Sequence, residues 1–376
     1  MPERRNLLDC AHFDAFRCRS CSWLEVSYAD QLGRKVDHCR SLIGSAAVWD
    51  VPTPSPLAGF RNKAKLVVSG SAAQPVLGIL GPDGPVDLRD CALHEAAIQR
   101  ALPALAAFVT EAGLAPYDVA SRRGELKYLL VTSAPTGDLM VRFVLRSTEA
   151  EARIRKHLGA LLESLPALVV VSLNIQPEHK AILEGEREIV LTDATALTMP
   201  INDVELRLRP QSFFQTNTSV AAALYRGARE FLSDVEAATA WDLYCGVGGF
   251  ALHLAKPGTS FTGVEISPEA VASGQESAPE GVRFIADDAL DFARRAVSEG
   301  DSPDLVVVNP PRRGIGPDLA TLLENSKVRT VLYSSCNAES LARDLEAMPS
   351  LRPLRAQIFD MFPHTSHYEV LTLLAR

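Results

Sequence analysis

Trp241-Asp242-Leu243-Tyr244-Cys245-Gly246-Val247-Gly248-Gly249-Phe250-Ala251 reads as a short strand running without a spacer into a glycine turn and then into helix-forming sequence. Glycines in that turn let the backbone bend tightly and come close to a nucleotide-like ligand. The next apolar strand, Phe261 to Glu265, ends in a carboxylate nineteen residues past Gly246, where it can accept hydrogen bonds from ribose hydroxyls. Turn, strand and acid in this register predict a Rossmann-like sheet that binds its ligand along the carboxyl edge. They leave NAD and S-adenosylmethionine both open.

Outward from that turn, strand and helix signals alternate from Asn202 to the end of the chain. A helix is expected over about Ser219–Leu232, with strands at Trp241–Tyr244, Phe261–Glu265, Val282–Ile285, Leu305–Val308, Val328–Tyr333 and Val370–Leu374. Such alternation predicts an α/β domain over 203–376, its mostly parallel sheet covered on both faces. Residues 51–202 read differently. Leu66–Val68 with Val76–Leu80, and Leu126–Thr132 with Leu139–Leu145, look like hairpins, and 92–112 and 149–164 have amphipathic helical spacing, so an antiparallel α+β unit is expected. Residues 1–50 carry four of the seven cysteines with little periodicity, and Pro52, Pro54 and Pro56 then read as a linker.

The chain of 376 residues, 47% of them hydrophobic, can bury two ordinary cores. No apolar run reaches the length of a membrane span and Met1–Asn6 leads into no signal core, so the cytoplasm is the expected compartment. In that compartment seven cysteines point to metal binding or catalysis rather than to disulfides. A net charge of −8 by itself argues against a nucleic-acid partner, although the distribution of charge matters more than its sum. Local basic groups remain as candidate phosphate contacts: Arg61, Lys63 and Lys65, Arg122 and Arg123 with Lys127, Arg142 with Arg146, and Arg312 with Arg313.

Three features near the carboxyl terminus carry the chemistry. The apolar strand Leu305–Val308 delivers Asn309-Pro310-Pro311-Arg312-Arg313-Gly314 to the same sheet edge as the glycine turn, and two prolines hold the Asn309 amide in place. This segment resembles the Asn-Pro-Pro of S-adenosylmethionine-dependent methyltransferases. Enzymes of that class that methylate adenine amines follow it with an aromatic residue, where this chain has Arg312, so adenine-amine methylation is the runner-up. Tyr333-Ser334-Ser335-Cys336-Asn337 places Cys336 between a strand and a helix start, where the helix dipole favours the thiolate; the plain alternative is a buried cysteine acting as a small hydrophobe. Glu369 opens the last strand, where burying a carboxylate is costly unless it is paired or functional, so it is a candidate general base. His364 and His367 have no third ligand nearby and do not make a metal site.

Taken together, Asn-Pro-Pro-Arg-Arg-Gly, Ser-Ser-Cys-Asn and His-Thr-Ser-His-Tyr-Glu resemble the RNA uracil-C5 methyltransferases, and Pro210-Gln211-Ser212-Phe213-Phe214-Gln215-Thr216-Asn217 resembles the segment by which that family enters its cofactor domain. The resemblance implies Cys336 as nucleophile, Glu369 as base, and S-adenosylmethionine lined by Gln215, Tyr244, Glu265 and Asn309. Many relatives have aspartate in place of Asn309. Phe60-Arg61-Asn62-Lys63-Ala64-Lys65, Arg123-Gly124-Glu125-Leu126-Lys127-Tyr128 and Asn174-Ile175-Gln176-Pro177 are similar to the branch that methylates one uridine of 23S ribosomal RNA, uridine 747, which implies that RNA as partner.

Cys10, Cys18 and Cys21, with Cys91 as a distant fourth, suit either Zn²⁺ or an iron–sulfur cluster by spacing. The resemblance implies a [4Fe-4S] cluster on that set, with Cys39 left over as structural and Pro2–Asp9 as a disordered extension. Other uridines of ribosomal or transfer RNA remain alternative targets. So does a redox-sensing RNA-binding protein on a methyltransferase fold that has lost its activity, which would bind cofactor without turnover.

Overall fold

The computed structural model describes residues 8–44, 48–180 and 182–376; most of the amino-terminal extension expected to be disordered, through residue 7, lies outside them. The chain begins with a single helical turn, α1 (Ala11–Asp14), a long helix, α2 (Tyr28–Ile43), and a short strand, β1 (Val48–Trp49). A central unit follows: β2 (Lys63–Gly70), β3 (Pro75–Gly81), β4 (Gly84–Asp87), α3 (Ala96–Glu111), β5 (Leu126–Ser133), β6 (Leu139–Leu145), α4 (Glu151–Ser164), β7 (Leu168–Ile175) and β8 (Arg187–Val190). The hairpin β9 (Leu197–Ile201) and β10 (Val204–Leu208) leads into α5 (Thr218–Phe231). The alternating region comprises β11 (Thr239–Leu243), α6 (Gly249–Leu254), β12 (Ser260–Glu265), α7 (Pro268–Glu276), β13 (Val282–Ala286), α8 (Ala289–Ser298), β14 (Leu305–Val308), α9 (Gly316–Asn325), β15 (Thr330–Ser335), α10 (Ala338–Glu346), β16 (Arg352–Phe359) and β17 (Glu369–Ala375).

The carboxyl-terminal sheet has eight strands in the order β1-β16-β17-β15-β14-β11-β12-β13. Strands β11 to β15 run parallel, while β17 is antiparallel to both β15 and β16. The order reverses between β11 and β14, which opens a crevice at their carboxyl ends. Strand β14 is buried on both faces, Leu305 to Val308 being at most 3% exposed, which is why its sequence is uniformly apolar. Residues of α5, α6, α7 and the β9–β10 hairpin pack on one face of the sheet, and residues of α2, α8, α9 and α10 on the other. Helix α5 begins at Asn217, whose side chain accepts from Val220 N–H, a cap that contributes about 1 kcal/mol.

Sequence and structure part company at five places. Helix α2 is absent from the expectation for residues 1–50 because its buried stripe reads Gln31, Lys35, Cys39 and Ile43, only two of them apolar. The proline stretch is no free linker: Thr53 N–H donates to the Ile358 carbonyl at 2.8 Å, so the segment after β1 continues along the edge of β16. Strand β16 itself was not expected, since its first half is largely exposed and lacks a clean alternation. Finally, the expected break at 202 falls in the turn of the β9–β10 hairpin, with Asn202 in the left-handed region at φ +53°. In the central unit, α3 and α4 pack on a seven-stranded sheet in which β6 and β7 pair in parallel through the α4 crossover, where only antiparallel pairs were expected.

Candidate active site

The glycine turn lies at the carboxyl end of β11, as its sequence predicts. Tyr244 adopts φ +64° and Gly248 φ +88°. A Cβ on Gly248 would stand 2.5 Å from Phe284 Cζ, so glycine is required there by both backbone and neighbour. Glu265, at the end of β12, is held by its own backbone surroundings: one oxygen accepts from Gly246 N–H at 3.2 Å and the other from Ser267 N–H at 3.0 Å. Asp242 is fully buried in β11 and accepts from Ala251 N–H at 2.8 Å; burial pushes its carboxyl up to about 7. It pins the start of α6 beneath the turn.

Asn309 follows β14 directly, its N–H donating to the Leu243 carbonyl at 3.3 Å, so the Asn-Pro-Pro segment is stitched to the base of the glycine turn. Beyond it the Arg312–Gly316 loop is shaped by Asp344, which accepts from Ile315 N–H at 2.9 Å, Gly316 N–H at 3.2 Å and the Tyr333 hydroxyl at 2.6 Å. Gln215 is nearly buried, and its carbonyl accepts from the Asn62 side chain at 2.9 Å. Asn62 thereby ties the central unit to the segment that leads into α5.

Cys336 sits between β15 and α10, as expected. Asn337 caps α10 by accepting from Glu339 N–H at 3.1 Å, and its amide donates to the Arg312 carbonyl at 3.0 Å. The thiol does not have the lowered pKa expected from its place at a helix start. Burial raises it, Glu369 raises it further, and the Arg312 guanidinium works against both. The helix dipole is thus outweighed by desolvation in the protein without substrate. Glu369 is 1% exposed and opens β17 opposite Phe359, with the Ser334 hydroxyl donating to it at 2.7 Å; burial lifts its carboxyl to about 7. A buried carboxyl with a pKa near neutrality is suited to exchanging protons with a bound base.

All of these residues converge. One cavity of about 600 Å³ is lined by Gln215, Tyr244, Glu265, Asn309, Cys336 and Glu369. The same cavity is lined by residues that sequence reasoning did not single out. Asp287 and Asp288 follow β13, where Asp288 also caps α8; acids directly after the third strand of the sheet were the available signal. Phe213 lines it while 68% exposed, an unusual place for a phenylalanine and a ready stacking surface. Ser334 and Asp344 reach the site through Glu369 and the Arg312 loop; the sequence shows Ser334 only as part of Ser-Ser-Cys-Asn and does not mark Asp344.

The cysteine set is only partly gathered. Cys10, Cys18 and Cys91 are near enough to Cys21 that their charges add to burial in pushing its thiol up to about 12, with Arg61 opposing them. Among the described residues, however, no group of three or more cysteine, histidine or acidic side chains is close enough to hold a metal ion as it stands. Cys39 is fully buried against Tyr368, and His364 is buried with Nε2 at 2.8 Å from the Leu57 carbonyl, so both are structural. Several expected phosphate contacts are engaged elsewhere. Arg142 is 1% exposed between Glu184 and Glu188, Arg146 pairs with Glu125, and Lys127 is buried against Gln176 and the Glu178 carbonyl. No helix among the described residues is long and apolar enough to cross a membrane.

The sequence is 50% identical over 374 residues to the 23S rRNA (uracil(747)-C(5))-methyltransferase RlmC of Shigella boydii, covering 98% of this chain and 100% of that protein. The same identity and coverage hold for the RlmC proteins of Escherichia coli and of Pectobacterium carotovorum. The fold is that of the Pyrococcus abyssi tRNA (uracil-54, C5)-methyltransferase solved with S-adenosyl-L-homocysteine, at a TM-score of 0.79 and 24% identity over 96% of this chain and 86% of that one. The sequence model of the tRNA (Uracil-5-)-methyltransferase family matches residues 164–376, and the chain belongs to that family.

Proposed function

We propose that this protein methylates C5 of uridine 747 in 23S ribosomal RNA, in the cytoplasm, with Cys336 as nucleophile and Glu369 as general base. The observation that carries the reading is the single cavity lined by both groups and by Gln215, Tyr244, Glu265 and Asn309. The RNA target rests on half of the residues being identical along the full length of the Shigella boydii enzyme.

Uracil C5 is too weak a nucleophile to take a methyl group unaided. Addition of the Cys336 thiolate to C6 breaks the C5–C6 double bond and pushes its electrons into an enolate. S-adenosylmethionine supplies an electrophilic methyl group bound to a sulfonium; Glu265 would accept from its ribose hydroxyls, with Gln215, Tyr244 and Asn309 against the remainder. Once C5 carries the methyl group, Glu369 takes the C5 proton, the double bond re-forms and the thiolate leaves. Because the thiol is raised and Glu369 titrates near 7, the Arg312 guanidinium is the group that offsets the thiolate's charge during attack. The uridine must leave its stack to enter, at a cost of a few kcal/mol, which favours a loop over a duplex.

Cys10, Cys18, Cys21 and Cys91 would hold a [4Fe-4S] cluster. Their support is a donor set of thiols alone, mutually within range of one another's charge. No step of methyl transfer needs it.

The test is a denaturing gel of the protein mixed with S-adenosylmethionine and a 23S ribosomal RNA fragment carrying 5-fluorouridine at position 747. Fluorine cannot leave as a proton, so wild type is trapped as a protein–RNA adduct and Cys336→Ala is not. Methylation of unmodified RNA by both proteins without any adduct would instead favour amine methylation.

A further inference from the structure

Cys336 faces two cavities. Behind the one just described lies a second, of about 470 Å³, whose wall includes Trp23, Arg34, His38, Arg312, Cys336 and His367. Cys336 and Arg312 are common to both, so the nucleophile separates them. We propose that this second cavity seats the nucleotide adjacent to the target uridine, its base stacked on Trp23 and its phosphate held by Arg34 and Arg312. The inference rests on the proposed reaction at Cys336 and extends it to substrate recognition by the amino-terminal segment.

RNA is one covalent chain, so a uridine inserted against Cys336 brings its neighbour to the rim of the same residue. The second cavity offers what a nucleotide needs. Trp23 is half-buried, and its backbone is fixed on both sides: its N–H donates to the His364 carbonyl at 2.8 Å, and its carbonyl accepts from the Gln31 amide at 3.1 Å. Gln31 in turn accepts from His364 N–H at 2.8 Å, so the Trp23 backbone that carries the indole is held by a closed ring of hydrogen bonds. An aromatic face fixed in advance is a stacking platform that costs little ordering on binding.

The charge suits a phosphate. The Arg34 guanidinium stands 5.8 Å from the Trp23 ring centroid and forms no ion pair among the described residues. Arg312 is exposed and likewise unpaired among them, apart from its interaction with the Cys336 thiol. Lys35 also borders the cavity, but it is consumed by Asp360 at 2.6 Å. Among the described residues Glu339 is the one carboxylate on the wall, against the guanidinium groups of Arg34 and Arg312. Glu265, Asp287 and Asp288 of the first cavity do not line this one, which separates it from the proposed S-adenosylmethionine site.

The experiment compares wild type, Trp23→Ala, Trp23→Phe and Arg34→Gln on a hairpin RNA spanning the target, intact or with an abasic nucleotide on one or the other side of it. KM and kcat for the RNA are measured, together with calorimetric binding of S-adenosylmethionine. Trp23→Ala raises KM for intact RNA roughly tenfold, the usual weight of one base–aromatic stack, while kcat and cofactor binding stay unchanged and Trp23→Phe restores most of the loss. An abasic neighbour on one side costs wild type the same factor and costs Trp23→Ala nothing more. Arg34→Gln weakens RNA binding and lowers its salt dependence by about one phosphate contact. Equal KM for intact and both abasic RNAs in wild type, or penalties that multiply in Trp23→Ala, would overturn the proposal. Should Trp23→Ala fold poorly, the abasic series in wild type and the surface substitution Arg34→Gln decide the matter. A wild type that forms no adduct with the intact 5-fluorouridine RNA removes the underlying reaction instead, and the neighbour site with it.

Discussion

Ser334→Ala isolates the base. The Ser334 hydroxyl donates to Glu369 at 2.7 Å and holds its carboxyl below the value that burial alone would give. A hydrogen bond to a charged group is worth about 1.5–3 kcal/mol, and about 1.4 kcal/mol is one pKa unit, so removing the hydroxyl lifts Glu369 by roughly one to two units. Glu369 already titrates at about 7. Its ionised fraction at neutral pH therefore falls from about half to between roughly a tenth and a hundredth, a loss of about 5- to 50-fold in proton abstraction. The same substitution acts on Cys336 in the opposite sense, because Glu369 raises the thiol only while it is charged. The assay is single-turnover release of tritium from RNA labelled at uridine C5, followed as a function of pH, with thermal unfolding as a check on the fold. The expected profile has its acid limb displaced upward and its activity recovered above about pH 9. A limb that stays in place, or moves to lower pH, would refute the assignment of Glu369 as the titrating base.

Four further outcomes are expected. In Glu369→Gln the C5 proton stays, so a methylated protein–RNA adduct accumulates on a denaturing gel. The same variant is more stable than wild type at pH 8: a folded carboxyl raised from 4.5 to about 7 binds its proton more tightly than the unfolded chain does, so its contribution to stability is lost as pH rises through that window, on the order of 3 kcal/mol. Thermal unfolding shows this as a higher midpoint at pH 8 and none at pH 4. Gly248→Ala must place a Cβ 2.5 Å from Phe284 at φ +88°, which costs about 1–3 kcal/mol and distorts the turn; calorimetry should show S-adenosylmethionine affinity reduced more than tenfold. On the proposed cluster, wild type prepared anaerobically should carry iron and visible absorbance and Cys21→Ser should lose both; a colourless, iron-free wild type would refute it.

How much of this was legible in the sequence depends on what each residue's partner is. Strands β11, β12 and β14 announce themselves because both faces are buried, and the residues at their carboxyl ends inherit the site from the topology. Cys336 and Glu369 are legible for a related reason: a cysteine at a strand end and a carboxylate at the mouth of an apolar strand are each anomalous in place. The partners of Ser334 and Asp344 are not: both side chains are buried, and neither the buried run of β15 nor the helical pattern of α10 says what they meet. Their importance appears only when β15 is paired with β17 and α10 is packed against the Arg312 loop. The same holds for the basic groups. Charge in the sequence could not distinguish Arg142, locked between two glutamates, from Arg312, which faces the nucleophile.

Helix α2 extends that argument to the role of the amino-terminal segment. The first half of its buried stripe, Gln31 and Lys35, is polar because it is matched to the loop leading into β17, while Cys39 and Ile43 join the apolar core. Lys35 donates to Asp360 at 2.6 Å and to the Phe362 carbonyl at 3.1 Å, Tyr28 donates to the other Asp360 oxygen at 2.8 Å, and His38 meets the Tyr368 hydroxyl at 2.8 Å. With Gln31 and Trp23 on His364, these contacts span residues 360 to 368 and stop one residue short of Glu369. A buried ion pair of this kind adds little net stability, yet removing one partner costs about 3–5 kcal/mol, so its effect is to permit one arrangement of the loop and penalise others. Through these contacts, the segment that bears Cys10, Cys18 and Cys21 fixes the approach to β17 and supplies part of the wall of the second cavity at Cys336. Loss of order around those cysteines would therefore be felt at Glu369 and Trp23 together, even though no cysteine of the set touches the reacting base.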